Sequence, residues 1–156
     1  MASQMKRLVI ALGASLLMVA ALVSPALGAA QKVNLVPAAA FPSAPGGGFV
    51  VFNNSAGPNN LHVTVALKGV SPGTAYRIYL FVDTTASGGV DGIGKPLATV
   101  ITNRQGNATF HVNRRVAPGT HHLGIDVVLA SPFTGADLYL TKDFYAPGMS
   151  ATLTFK

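Results

Sequence analysis

The sequence predicts an all-β protein: a single antiparallel β-sandwich of seven or eight strands that follows an N-terminal signal peptide. Two observations predict it. After Gly48, short runs rich in β-branched and aromatic residues are separated by clusters of Gly, Pro, Asn and Ser, a pattern typical of strands joined by turns. Within the runs apolar and polar residues alternate, so each sheet is expected to bury one face, as antiparallel sheets do.

Residues 1–30 form the predicted signal peptide. Two basic residues precede an apolar run from Leu8 to Val23, and Pro25 and small residues follow. This is the layout of a secretory signal, whereas a membrane-spanning helix needs about 20 apolar residues. We expect cleavage after Gly28 or Ala30, giving a secreted, extracellular or cell-surface associated protein with no stable membrane span.

The mature chain divides into a lead-in and one domain. Residues 31–47 are rich in Ala, Pro and Gly without a sustained period, so we interpret them as a flexible lead-in. Residues 48–156 form the predicted β-sandwich domain. Its predicted strands span 48–52, 61–69, 75–83, 96–102, 107–113, 122–130, 137–142 and 151–155.

Alternation assigns the two faces of these strands. The side chains predicted to point into the core are Leu61, Val63, Val65, Leu67, Tyr76, Ile78, Leu80, Val82, Ala108, Phe110, Val112, Leu123, Ile125, Val127 and Leu129. Three aromatic residues are predicted to face outward: Tyr79, Phe81 and Tyr139. Exposed aromatic rings can stack on sugars or anchor a protein partner, which makes these three the candidate ligand-binding residues. The alternative is that a loop or a second copy of the domain covers them.

Two Pro-Gly-Thr turns each precede a strand, at Pro72-Gly73 and at Pro118-Gly119. Proline sets φ at the second position of a type II turn, and glycine supplies the positive φ at the third. When the two turns are superimposed, the strands before them are one residue out of phase, which would reverse their faces. We therefore interpret the pair as the same turn used twice rather than as a duplicated unit.

The stretch from Val70 to Ile78, VSPGTAYRI, resembles the corner of fibronectin type III and related immunoglobulin-like sandwiches of secreted bacterial surface proteins. The resemblance implies a sandwich and gives Tyr76 a structural role, with its hydroxyl bonded to nearby backbone. In the family this corner precedes the last two strands, but about five predicted strands follow Tyr76. The resemblance therefore extends to the architecture and not to the strand order.

Composition restricts the chemistry. The chain has no cysteine, which excludes disulfides, thiol nucleophiles and thiolate metal sites. It contains neither the GxSxG motif of hydrolases nor a phosphate-binding loop, so we expect no enzyme activity and no cofactor. The formal net charge is +6, but the basic residues are scattered except for Arg114-Arg115. No nucleic-acid-binding motif is present, and nucleic acid is not an expected partner.

The four histidines provide the main alternative. His62, His111 and either His121 or His122 could together hold Zn²⁺ or Cu²⁺, although no HxH or HExxH spacing occurs. The sequence favours a secreted, non-catalytic surface, adhesion or matrix-type binding module whose partner is a cell wall, a glycan or a protein. The alternative is a small extracytoplasmic metal-binding protein or metal-dependent enzyme that uses these histidines.

Overall fold

The computed structural model describes residues 30–54, 57, 59–83, 96–131, 137–141 and 151–156. These residues contain no helix, and the all-β prediction is confirmed. Their nine strands are β1 (Gln31–Pro37), β2 (Gly47–Asn53), β3 (Asn60–Lys68), β4 (Ala75–Asp83), β5 (Ala98–Ile101), β6 (Ala108–Arg115), β7 (Gly119–Leu129), β8 (Asp137–Thr141) and β9 (Ala151–Phe155). Eight of the nine lie where alternation predicted a strand.

The strands form one antiparallel sheet in the order β5-β4-β7-β8-β1-β2-β3-β6, and β9 pairs with β7. Two strands pair with consecutive parts of the same edge of β7: β9 with residues 119–123 and β8 with residues 126–128. The register of β7 and β8 shifts between Val127 and Val128. The sheet curls until it is nearly closed like a barrel.

Strand β1 corrects the prediction of a flexible lead-in over residues 31–47. It pairs with both β2 and β8, and its Leu35 is buried. The Gln31 side chain extends this pairing to β9: Nε2 donates to the Thr152 carbonyl at 2.6 Å, and Oε1 accepts from the Thr152 amide at 3.0 Å. The alternation over QKVNLVP is genuine but short, and the Ala, Pro and Gly residues that follow it obscured the strand.

The predicted inward residues of β3 and β7 line the core. Those of β3 are at most 1% exposed, and Leu123, Ile125 and Val127 of β7 are fully buried. The inward residues of β6 pack against the same core but remain half-buried, because β6 is an end strand of the sheet. The face assignments from alternation are therefore confirmed for these strands.

The two Pro-Gly-Thr segments differ from each other. Gly73 lies in a turn with φ of 62°, the positive φ that the predicted turn requires. Pro118 lies in a bend instead, and Gly119 already begins β7 with φ of 127°. The prediction that one turn type is used twice is wrong, because β7 starts earlier than alternation indicated and pairs with β9 from its first residue.

A third glycine fixes the turn between β5 and β6. Gly106 has φ of 73°, and a Cβ atom placed on it would lie 1.9 Å from the Val70 carbonyl oxygen. The Val70 amide donates to the Gly106 carbonyl at 3.1 Å. This close backbone approach holds the start of β6 against the end of β3 and so sets the register of the β3–β6 pair.

Candidate binding face

Tyr79 and Phe81 share the outer side of β4, as predicted, but they do not form an exposed platform. Phe81 is only 7% exposed and packs with Ala38 and Leu140 in a small apolar cluster. Tyr79 is half-buried against the same cluster. The prediction that Phe81 is exposed is wrong, because the residue after β1 and a side chain of β8 cover this part of the outer face.

Tyr139 is also misassigned as outward-facing. It is fully buried in the main core, and its hydroxyl donates to the Pro45 carbonyl at 2.6 Å. Burial raises the pKa of Tyr139 to about 12, and the neighbouring Tyr76 hydroxyl acts in the same direction. In β8 the alternation groups Tyr139 with Asp137 and Thr141 against two leucines, which predicts that the tyrosine faces outward, but the pairing of β8 with β1 and β7 places its ring in the core.

Tyr76 is buried as expected, but its hydroxyl does not make the backbone bond that the family resemblance implies. Within the described part of the chain this buried hydroxyl has no hydrogen-bond partner. The ring instead meets Tyr139 edge to face, with ring centres 6.2 Å apart and planes at 64°. The bond from a core tyrosine to loop backbone is therefore made by Tyr139, on a different strand.

The outer surface of β1, β2, β3 and β6 is more open, and we name it the basic face. Its position follows from the strand pairing, since residues opposite an outward residue also point outward. The members of the basic face are Lys32, Asn34, Phe49, Val51, Asn53, Asn60, His62, Thr64, Ala66, Lys68, Thr109, His111, Asn113 and Arg115. Lys32, Val51, Thr64 and His111 stand opposite one another in one row across the four strands.

The basic face contains no carboxylate. All five aspartates of the chain lie at position 83 or later, and none lies in β6. Exposed cationic side chains stand on the face or at its ends, in Lys32, Lys68 and Arg115. Arg114 is exposed as well but is opposite the inward Leu61. The Lys32 ammonium lies 4.2 Å from the centre of the Phe49 ring, a cation–π contact. Among the described residues, the face therefore carries cationic side chains and no acid, an arrangement that favours anions.

Two histidines lie side by side on this face. In the β3–β6 register His62 is opposite Asn113, and Thr64 is opposite His111. The centres of the two imidazole rings are 6.4 Å apart, with the planes at 36°. His62 Nδ1 contacts Asn113 Oδ1, and His111 Nδ1 contacts Thr64 Oγ1 at 2.9 Å. Both rings are thus oriented by neutral side chains of the facing strand.

The other two histidines both lie on β7, beside β9, and do not join this pair. His121 is buried, with Nε2 against the Ala117 carbonyl at 2.9 Å. His122 points to the opposite side, and its Nδ1 contacts Thr152 Oγ1 at 2.9 Å. Within the described ranges, no three residues of the types His, Cys, Asp or Glu are close enough to hold a metal ion together. The three-histidine site proposed from sequence is therefore not assembled there.

Comparison with known proteins adds no relative: no family model, no curated protein and no solved structure matches this chain. The part of the chain described here also contains no helix long and apolar enough to cross a membrane.

Proposed function

We propose that this protein is a secreted, non-catalytic surface or matrix-type binding module that holds an anionic glycan, such as an acidic wall or matrix polymer, on the basic face. The observation that supports the proposal is the separation of charge. Three of the four strands of the basic face, β1, β3 and β6, present lysine, arginine or histidine side chains, while every aspartate lies elsewhere in the chain. A positive surface without internal neutralisation attracts a polyanion from solution.

The dimensions of the face suit a polymer rather than a single small ion. Strands lie about 4.8 Å apart, so Lys32 and His111, at the two ends of one row, are separated by about 14 Å. Along β3, Lys68 lies four residues beyond Thr64, or about 13 Å. An extended chain with repeated carboxylate or sulfate groups can reach several of these positions at once, and the amides of Asn34 and Asn113 add hydrogen-bond donors to the same surface.

The proposal includes export and a two-layer description of the fold. One layer is β1, β2, β3 and β6, and the other is β5, β4, β7 and β9, in the manner of fibronectin type III and immunoglobulin-like sandwiches. Residues 1–29 lie outside the described residues, and export is proposed from their sequence alone. Intact-mass measurement of the protein collected from culture medium tests it: the expected first residue is Ala29 or Gln31, and retention of Met1 argues against export by this route.

The binding proposal is tested with immobilised acidic polysaccharides, heparin and alginate, against neutral dextran. We expect retention on both acidic matrices that falls as salt increases, because salt screens exposed charges. The double variant Lys32→Gln/Arg115→Gln should weaken binding about tenfold, since each exposed charge contributes up to about 1 kcal/mol. Arg104→Gln is the matched control, because it removes the same charge from the turn between β5 and β6, outside the face.

Three results would redirect the proposal. Equal retention on dextran would indicate recognition of neutral sugar. Equal weakening by Arg104→Gln would indicate attraction to net charge without a defined site. Retention that persists at high salt in the double variant would place the binding surface elsewhere, with the partly exposed ring of Tyr79 as the next candidate.

A further inference from the structure

The pairing of β3 with β6 brings two imidazoles close to the geometry that a transition metal requires. Two imidazoles on one tetrahedral zinc ion, with Zn–N bonds of about 2.0–2.1 Å, have ring centres about 5.3 Å apart. The ring centres of His62 and His111 are 6.4 Å apart. A closure of about 1 Å separates the two arrangements, and small side-chain rotations can supply it because His111 is exposed and His62 is half-buried.

The hydrogen bonds of the two rings favour the tautomer that binds metal. An amide oxygen only accepts, so His62 Nδ1 donates its proton to Asn113 Oδ1 and its Nε2 keeps a lone pair. His111 Nδ1 can donate to the Thr64 hydroxyl in the same way. Metal-binding histidines normally donate the proton of their other ring nitrogen to such an acceptor, which fixes the ring orientation. Within the described chain, neither Nε2 atom takes part in a hydrogen bond.

The surroundings select the kind of metal. Ca²⁺ and Mg²⁺ require several oxygen ligands, commonly carboxylates, and the basic face has none. Imidazole nitrogen suits Zn²⁺, Cu²⁺ and Ni²⁺. Two protein ligands leave the remaining coordination positions of such an ion open, and no carboxylate of the face can fill them. An external anion is the ligand that best neutralises the ion there.

We propose that His62 and His111 bind one ion of the Zn²⁺ type through their Nε2 atoms, and that the open positions of this ion accept an anionic group of the ligand. Metal binding by the pair stands independently of the proposed function, whereas the link to an anionic ligand rests on it. Asn113 and Thr64 act as positioning residues, because they hold the rings through Nδ1 and do not contact the metal.

The test uses calorimetric titration of the purified protein with Zn²⁺ alone, in a buffer that does not chelate it. We expect one saturable site per chain with a dissociation constant below about 1 mM. His62→Gln and His111→Gln should each weaken binding at least tenfold. His122→Gln is the matched control, since it removes an imidazole from β7 and should leave binding unchanged. In NMR spectra of the unmodified protein, Zn²⁺ should shift the imidazole resonances of His62 and His111 and leave those of His121 unaffected.

The absence of saturable binding, or equal binding by His62→Gln, overturns the metal site, and so does a loss that follows His122→Gln. The link to an anion is tested separately by retention on heparin with and without Zn²⁺. The link is supported if Zn²⁺ increases the retention of the unmodified protein on heparin and this increase is absent in His111→Gln. If the unmodified protein binds Zn²⁺ but its retention does not change, the link is wrong and the metal site stands. Loss of retention in Lys32→Gln/Arg115→Gln, measured without Zn²⁺, tests the proposed function separately. Circular dichroism of each variant establishes that the fold is intact.

Discussion

The buried hydroxyl of Tyr139 gives the sharpest test of the core, because its effect should change sign with pH. At pH 7 the substitution Tyr139→Phe removes one hydrogen bond, to the Pro45 carbonyl. That carbonyl belongs to an exposed residue and can bond to water instead. The free energy of unfolding should therefore fall by about 1 kcal/mol, the usual net value of one hydrogen bond.

At alkaline pH the unmodified protein loses the stability that the Tyr139 hydroxyl contributes. The pKa of Tyr139 is about 12 when folded, whereas a free tyrosine titrates near pH 10. Below pH 10 both states keep the proton and the hydroxyl does not affect the pH dependence. Between pH 10 and 12 the unfolded chain releases the proton first, so stability falls by about 1.4 kcal/mol per pH unit. At pH 11 this loss cancels the benefit of the hydrogen bond.

We therefore expect Tyr139→Phe to be less stable than the unmodified protein at pH 7 and equally or more stable at pH 11. Urea denaturation followed by far-ultraviolet circular dichroism measures both values. A stability difference that stays constant from pH 7 to pH 11 would refute the burial of this hydroxyl. A loss of 3 kcal/mol or more at pH 7 would mean that the ring, and not the hydroxyl, had been displaced.

Three further predictions concern packing, backbone geometry and strand pairing. Phe81→Ala should cost about 3 kcal/mol because the ring is buried, and Tyr79→Ala less than half as much; equal small losses in urea titrations would mean that the outer side of β4 is open. Gly106→Ala should destabilise by more than about 2 kcal/mol, since its Cβ meets a carbonyl oxygen at 1.9 Å and its φ is positive. Gly73→Ala has open space around its Cβ and should show only the backbone cost of about 1–2 kcal/mol, so thermal melts that rank these two alike contradict the turn geometry. Gln31→Ala should lower the free energy of unfolding by about 1–2 kcal/mol through two lost hydrogen bonds and speed hydrogen exchange in β9. Unchanged exchange would mean that the Gln31 side chain does not stabilise β9.

The sequence by itself determined the class of the fold and much of its detail. Alternation in β3 and β7 correctly identified the residues that line the main core, because a strand has a side-chain period of two. It did not predict that Ala66, Asp126 and Val128 on the other side are buried as well. It also predicted the positive φ of Gly73, since Pro-Gly favours a type II turn, whereas the pairing of β7 with β9 overrides the same preference at Pro118-Gly119. The sequence also shows directly that the chain has no cysteine and that every aspartate lies after residue 82.

Only the tertiary structure decided which outward residues stay exposed. Phe81 points outward but is buried, because Ala38 and Leu140 come from distant parts of the chain and cover it. Tyr139 was assigned to the wrong side, since alternation in β8 groups it with Asp137 and Thr141, whereas the pairing of β8 with β1 and β7 places its ring in the core. Strand β1 was missed because its stability depends on β2 and β8 rather than on its own composition.

The candidate site likewise depends partly on the sequence and partly on the tertiary structure. The sequence separates His62 and His111 by 49 positions, and nothing local in either strand indicates that the two rings meet. They become neighbours because β6 pairs with β3 in a register that places His111 opposite Thr64, and the same pairing adds Arg115 to a surface whose other strands carry no acid. Charge and side-chain period are properties of the chain and can be read from it, whereas the pairing partner of a strand depends on long-range contacts that no local pattern specifies.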